Sequence, residues 1–250
     1  MGSTMRKLPV NVTDRERLLF CIHNAVQNAD VSPHLVDEPL ERAQPIRDFF
    51  AWQGKRNYEG LWWSSTAGGH IPFESLLERE YLLAADFDPH AVAIAAQPLA
   101  ILWPHRTPGN TSHTPDFFVR LADSDGLIVD VRHPDRVDSA SRQSELTRQL
   151  CDQIGWRYQV FTGMPTVLAA NLRWLSGYRH DRHTPNGAVR DALLASFTEP
   201  APLRAGILRA STAAATDLNV VTSNAFHLLW RRTLRVDLDR VLSSESQVSA

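Results

Sequence analysis

With 250 residues, 43% hydrophobic composition and a formal net charge of −2, the chain has room for one large core or two smaller ones, which excludes a disordered polymer and a globally basic nucleic-acid coat. Two cysteines, Cys21 and Cys151, are too few and too far apart for a disulfide framework or a zinc site, and read as buried thiols of a reducing compartment. No apolar run approaches the ~18–20 residues of a membrane span and the charged start lacks an apolar signal region, so a cytoplasmic location is expected.

In chain order, residues 14–29 place Leu18, Leu19, Ile22, Ala25 and Val26 at helical spacing behind a Thr13-Asp14 start, predicting an N-terminal helix in a helical or irregular region over 1–57. Periodicity is weak over 30–70, where Pro33, Pro39 and Pro45 bound a short helix around 46–52 and the cluster Tyr58, Leu61, Trp62 and Trp63 predicts an irregular layer or short strand. Residues 73–87 then form a helix with Leu77, Tyr81, Ala84 and Ala85 as its apolar stripe. Glu78 lies on the border of that stripe. Ser75-Leu76-Leu77-Glu78 fits a capping box, in which the glutamate bonds back to the cap backbone; the other reading turns Glu78 inward to a functional site.

Residues 91–96 and 99–103 read as strands around Gln97-Pro98, and 104–113 as a polar loop. A hairpin follows, from Thr114-Pro115-Asp116-Phe117-Phe118-Val119-Arg120-Leu121 through a Gly-ending turn to Leu127-Ile128-Val129-Asp130-Val131-Arg132. With 122–126 as the loop, Asp116 is expected opposite Arg132 and Phe118 opposite Asp130. Even positions then share one face, and two carboxylates and a guanidinium converge among apolar neighbours. An amphipathic helix over 139–154, a strand over 157–161 and a helix over 166–178 complete a mixed α/β sheet flanked by helices, a domain expected over 58–180. After a boundary in 179–187, residues 187–250 predict three helices and an extended wing over 234–242, a winged-helix-like domain. Its third helix offers Asn224, His227, Arg231 and Arg232 to a groove of DNA. Seven arginines against six acids there leave protein docking as an equal alternative.

Asp116 and Asp130 on one face suit a hard divalent cation such as Mg²⁺, which takes carboxylate oxygens and keeps waters for chemistry. Such an ion polarises a phosphodiester and lowers the pKa of its attacking water. The alternative is structural, with Asp116 salt-bridged to Arg132 and Asp130 to Arg120 or another base. Gln159 could approach the site or be an ordinary polar group of its strand, and His113 and His133, which flank the motif strands, could contact phosphate or metal or be solvated loop residues. Arg142, Arg148, Arg173, Arg179 and Arg182 could line a phosphate-binding surface, against the bland reading of solvated helix faces and charge pairing at helix C-termini, while Trp62 and Trp63 read as core or packing residues rather than base-stacking platforms.

The ordered set Phe73-Glu74-Ser75-Leu76-Leu77-Glu78-Arg79-Glu80, Asp86-Phe87-Asp88-Pro89, Gln97-Pro98, Thr114-Pro115-Asp116-Phe117-Phe118 and Val129-Asp130-Val131-Arg132 resembles TnsA-type transposase endonuclease subunits, over about residues 58–178. The resemblance implies a restriction-endonuclease-like catalytic domain of the PD-(D/E)xK superfamily and a C-terminal winged helix. It implies Glu78, Asp116, Asp130 and Arg132 as catalytic residues, and Asp116, Asp130, Glu78 and the carbonyl of Val131 around Mg²⁺, with Mn²⁺ able to substitute. It further implies double-stranded DNA cut at transposon 5′ ends, an integrase-type transposase partner and an AAA+ ATPase regulator. Arg132 stands where the family's lysine is expected, and Lys7 and Lys55 are the only lysines in the chain. Arginine stabilises charge but hardly accepts a proton. A catalytically degenerate, nuclease-like DNA- or protein-binding module is the alternative function.

Overall fold

A computed structural model describes residues 8–46, 58–107 and 111–250. The short helix expected around 46–52 falls, apart from Ile46, outside the described residues, as do Lys7 and Lys55. The protein is mixed α/β and divides into two compact units, Met1–Gly163 and Met164–Ala250. That division falls ahead of the 179–187 stretch, and puts the helix over 166–175 in the second unit. Among the described residues no helix is long and apolar enough to cross a membrane.

The first unit opens with a correction. Residues 14–29 form not a helix but a hairpin of β1 (Arg17–Ile22) and β2 (Ala25–Asp30). His23 and Asn24 connect them at φ 52° and 62°, the left-handed pair of a two-residue type I′ turn whose twist matches the flanking strands. The physical reason lies in the run Leu18-Leu19-Phe20-Cys21-Ile22. All five are buried because β1 is an interior strand covered on both faces, and a continuously apolar strand shows no alternation.

The chain continues through the hairpin β3 (Gly60–Ser64) and β4 (Gly69–Phe73), helix α1 (Leu76–Phe87), strands β5 (Ala91–Ala96), β6 (Leu99–Leu102), β7 (Ser112–His113), β8 (Phe117–Leu121) and β9 (Gly126–Val131), helix α2 (Ser141–Ile154) and strand β10 (Arg157–Phe161). Two four-stranded sheets result, ordered β2-β1-β6-β7 and β10-β9-β8-β5. The second is antiparallel except for β10, which α2 returns parallel to β9. Helix α2 ends at Gly155, whose φ of 95° lets its N–H reach the Cys151 carbonyl at 2.9 Å.

Strand parity decides what each sheet face meets. Odd Phe117 stacks on Tyr81 of α1, ring centroids 5.1 Å apart. Even Phe118 and Ile128 enter a core with Leu150, Cys151 and Ile154 of α2 and with Leu18, Phe20, Leu99 and Ile101 of the first sheet. Fifteen buried side chains in that cluster lock the two sheets and α2 together, so groups at the strand ends sit on a rigid frame.

The second unit holds α3 (Thr166–Leu175), α4 (Gly187–Ser196), β11 (Ala201–Pro202), α5 (Leu203–Ala213), α6 (Leu218–Trp230), β12 (Arg235–Val236) and β13 (Gln247–Ser249), the strands ordered β11-β13-β12. Asn186 caps α4 by accepting the Val189 N–H at 2.9 Å, and Asp217 caps α6 through the Asn219 N–H at 2.9 Å. The expected helices are present, while of the expected wing over 234–242 only Arg235–Val236 is a strand, pairing with β13 at the C-terminus.

Candidate active site

The β8–β9 hairpin is shifted from its expected register. Phe117 pairs with Val129 and Arg120 with Gly126, so the turn spans 121–125, and the ladder extends to place Asp116 across from Asp130 rather than Arg132. Each partner moves by two residues, so the parity of the face is unchanged. Asp116, Asp130 and Arg132 still project together, and the two acids are nearer neighbours than the expected pairing made them.

The two acids live in different surroundings. Asp116 Oδ2 accepts the Val131 N–H at 2.7 Å, and its side chain keeps 15% of its exposure. Burial chiefly, and then the negative charges of Asp130 and Glu78, push its carboxyl up to about 7 against the opposing pull of the Val131 N–H and Arg132. Asp130 is wholly buried. His113 Nε2 spans its two oxygens at 2.9 and 3.0 Å, and the Tyr158 hydroxyl donates to Oδ2 at 2.7 Å. Burial alone would raise the Asp130 carboxyl. The His113 hydrogen bond and charge, then Arg132, then Tyr158 outweigh it and hold the group below the ordinary carboxylate range.

Arg132 stands between the acids. Its guanidinium is 3.8 Å from Asp130 Oδ1 and 4.0 Å from Asp116 Oδ2, in the range of charge attraction but beyond hydrogen bonding, with 26% of the side chain exposed. The structural alternative for the acids is therefore also met, since Arg132 faces both and the base beside Asp130 is His113. Arg120 does not face Asp130; it bonds Glu41 at 3.0 Å and the carbonyls of Val36, Glu38 and Ser124.

Glu78 makes a variant of the capping box: Ser75 Oγ accepts the Glu78 N–H at 3.1 Å, while Glu78 Oε1 accepts the Ser75 hydroxyl at 2.9 Å and Oε2 accepts the N–H of Glu74, one residue before the cap, at 2.8 Å. The negative charge of Glu78 also helps to raise the Asp116 carboxyl. Val131 meets Asp116 through its N–H.

Of the further candidates His113 belongs to this site, in a place the solvated-loop reading does not give it: β7 pairs it with Ile101 and buries it, a long-range contact that local spacing does not encode. Three more residues join it without having been singled out for the site. Gln143 of α2 meets the His113 Nδ1. Tyr158 reaches Asp130, whereas the neighbouring candidate Gln159 is exposed on the other face; even parity on β10 was the available signal. Cys151, whose thiol burial pushes up to about 12, feels the charge of Asp130 from α2. His133 stays outside, exposed beside Asp135 at 3.3 Å. Arg142 and Arg173 are exposed, Arg148 pairs with Glu145, and Arg182 bonds His183. Trp62 donates to Asp86 at 3.3 Å, in keeping with a packing residue.

In the second unit α6 corrects a further expectation. Asn224 and His227 are buried and do not face a groove. Asn224 Nδ2 donates to the His183 carbonyl at 2.7 Å, and His227 Nδ1 bonds the Tyr178 carbonyl at 2.8 Å, tying the 178–184 segment to α6. Arg231 and Arg232 alone remain exposed.

A hard cation needs charged oxygens that can be reached. Asp116 supplies one, with Glu78 and Asp130 adding negative field around it, and Mg²⁺ needs only one or two protein carboxylates beside water and substrate phosphate. Among the described residues no group of three or more His, Cys, Asp or Glu side chains that could hold a metal ion is present. The sequence matches no protein-family model, and no curated protein matches it.

Proposed function

We propose that the protein is a Mg²⁺-dependent DNA endonuclease subunit of a heteromeric transposase, built on a restriction-endonuclease-like domain with a winged-helix-like second unit, and hydrolysing phosphodiester bonds at transposon 5′ ends. The observation that carries this reading is the succession α1, β5, β8, β9, α2, β10, which gathers Asp116, Asp130 and Arg132 at one end of a mixed sheet, within the electrostatic reach of Glu78 on α1. The motif set that resembles TnsA-type subunits supplies the substrate and the partners, namely double-stranded DNA, an integrase-type transposase and an AAA+ ATPase, in the cytoplasm.

Asp116 would hold the cation, with Glu78 and Asp130 contributing charge. When bound, Mg²⁺ (or Mn²⁺) supplies polarisation of the phosphodiester and a water of lowered pKa. Arg132 supplies what the acids cannot, since its guanidinium donors make no hydrogen bond to either carboxylate and can take the non-bridging oxygens of a phosphate as charge develops there. Burial of the even face excludes bulk water from the Asp130 side and strengthens the field between these charges.

A second reading draws on one observation. Arg132 already places a cation between the acids, as in a nuclease-like module kept for binding DNA or protein. Cleavage of a supercoiled plasmid and of a linear duplex, with Mg²⁺ or Mn²⁺ and with the transposase and ATPase partners present, separates the two. The endonuclease reading expects nicking or cutting that Asp116→Ala abolishes without unfolding the protein. Cleavage unchanged in Asp116→Ala rejects the site, and no cleavage under any metal and partner condition gives the lead to the binding module.

A further inference from the structure

Asp116 and Asp130 are treated alike by the sequence but not by the fold. A cation carrying its waters needs a carboxylate oxygen that faces solvent, and Asp130 has none: it is 0% exposed, both oxygens face His113 Nε2, and one also takes the Tyr158 hydroxyl. His113 is equally committed. Its backbone is fixed in β7, its Nε2 serves Asp130 and its Nδ1 meets Gln143, so neither ring nitrogen is left to exchange a proton with a substrate. A buried carboxylate without partners is strongly disfavoured, and here two side chains from separate elements hydrogen-bond it. That fixed anion lies 3.8 Å from Arg132, whose own donors make no hydrogen bond to either acid.

We infer that His113 is a positioning residue: with Tyr158 it locks Asp130 as an internal counter-charge that sets the place of the Arg132 guanidinium, and Asp130 is not a metal ligand. Asp116 alone of the pair is the cation-facing acid. Division of labour follows from burial. The ring and phenol hold Asp130, Asp130 holds Arg132, and Arg132 meets the phosphate. The inference rests on the phosphodiester reading for what Arg132 meets, whereas the chain from His113 to Arg132 stands on geometry.

The test uses the full chain with Asp116→Asn, Asp130→Asn, His113→Gln, Tyr158→Phe, Arg132→Gln and the His113→Gln/Arg132→Gln double variant, each checked for folding by thermal melting. Mn²⁺ binding is read by calorimetry, duplex DNA binding by titration, and the Arg132 Nε–H resonance by NMR, assigned through its loss in Arg132→Gln. Asp116→Asn is expected to weaken Mn²⁺ binding by about tenfold or more, and Asp130→Asn, His113→Gln and Tyr158→Phe by less than about twofold. The His113→Gln and Tyr158→Phe variants should shift or broaden the Arg132 resonance. Loss of DNA affinity in His113→Gln should also be non-additive with that in Arg132→Gln, which a merely structural role would not produce. Loss of Mn²⁺ binding in Asp130→Asn equal to that in Asp116→Asn overturns the inference, as does an Arg132 resonance indifferent to His113→Gln. If Asp130→Asn does not fold, the His113 and Tyr158 variants decide alone. Should the wild type bind neither Mn²⁺ nor DNA while the Arg132 resonance still responds to His113→Gln, the phosphodiester reading fails and the positioning chain survives.

Discussion

His113 Nε2 lies 2.9 Å from one oxygen of Asp130 and 3.0 Å from the other, so a histidine from the edge of one sheet is the hydrogen-bond partner of a fully buried acid of the next. Removing one partner of a buried pair leaves the other uncompensated, which costs about 3–5 kcal/mol. His113→Ala should lose stability on that scale in urea unfolding. Tyr158→Phe, which deletes one bond to a charged acceptor, should lose about 1.5–3 kcal/mol. Equal, small losses in both would mean that Asp130 is not held as an anion.

The two acids should titrate with opposite effects on stability. Asp130 ionises more easily folded than unfolded, so its contribution is present above the unfolded carboxylate pKa and lost as pH falls through the lower folded value. Asp116 is the reverse. Its folded pKa is about 7 against 3.8 for the free side chain, so its contribution is full below about pH 4 and is lost as pH rises through 7. In metal-free buffer Asp116→Asn should therefore match the wild type near pH 4 and exceed it above pH 7, by up to about 4 kcal/mol. Unfolding midpoints across pH 4 to 8 check this, and a variant weaker than the wild type at pH 8 would contradict it.

Glu78 combines a cap and a charge, and two substitutions separate them. Glu78→Gln keeps an acceptor for the Glu74 N–H while removing the charge that raises Asp116, so the Asp116 carboxyl should titrate lower with little loss of stability. Glu78→Ala should lower it as well and also cost about 1 kcal/mol through the lost cap. Carbon-13 titration of the Asp116 carboxyl reads the first effect and thermal melting the second.

Asp86, at the end of α1, takes hydrogen bonds from Trp62 Nε1, Ser64 Oγ, Ser65 N, Ser65 Oγ and Thr66 N, the shortest at 2.8 Å. It closes the β3–β4 turn onto the helix that carries Glu78. Asp86→Ala leaves these donors without their acceptor and should destabilise the first unit by about 3 kcal/mol or more. A melting temperature unchanged in Asp86→Ala would show the turn to be independent of α1.

In the second unit a Cβ at Gly206 would come within 2.2 Å of the Phe197 ring, closer than real contacts allow. Gly206→Ala should therefore cost about 1–3 kcal/mol by overpacking, despite alanine's better helix propensity. Gain of stability instead would mean that Phe197 has room to turn.

Much of the first unit was legible because its patterns are local. The stripe of α1, the amphipathic α2, the short β10 and the parity of the hairpin all follow from spacing within one element. The misreadings have a common cause in partners distant along the chain. Leu18 to Ile22 fit both a helix and a buried strand, and only pairing with β6 decides between them. Register in the hairpin depended on where its five-residue turn begins, which composition left open by one residue, and that one step moves every cross-strand partner by two. His113 looked like a loop residue because β7 owes its place to β6, and Asn224 and His227 looked free because α6 is buried among Val221, Ala225, Phe226, Leu228, Leu229 and Trp230 rather than on one stripe.

The hairpin register also sets what kinds of change the protein can absorb at its tip. Residues 121–125 close a ladder in which even positions face α2 and the first sheet. Gaining or losing two residues there would slide one strand past the other by a whole repeat, carrying Asp116 to a different partner while still pointing it inward. A change of one residue, unless absorbed as a bulge, would turn one entire strand over, exposing Phe118 and withdrawing Asp116 together. Register at this turn thus ties the placement of Asp116 and the burial of Phe118 into one inherited trait.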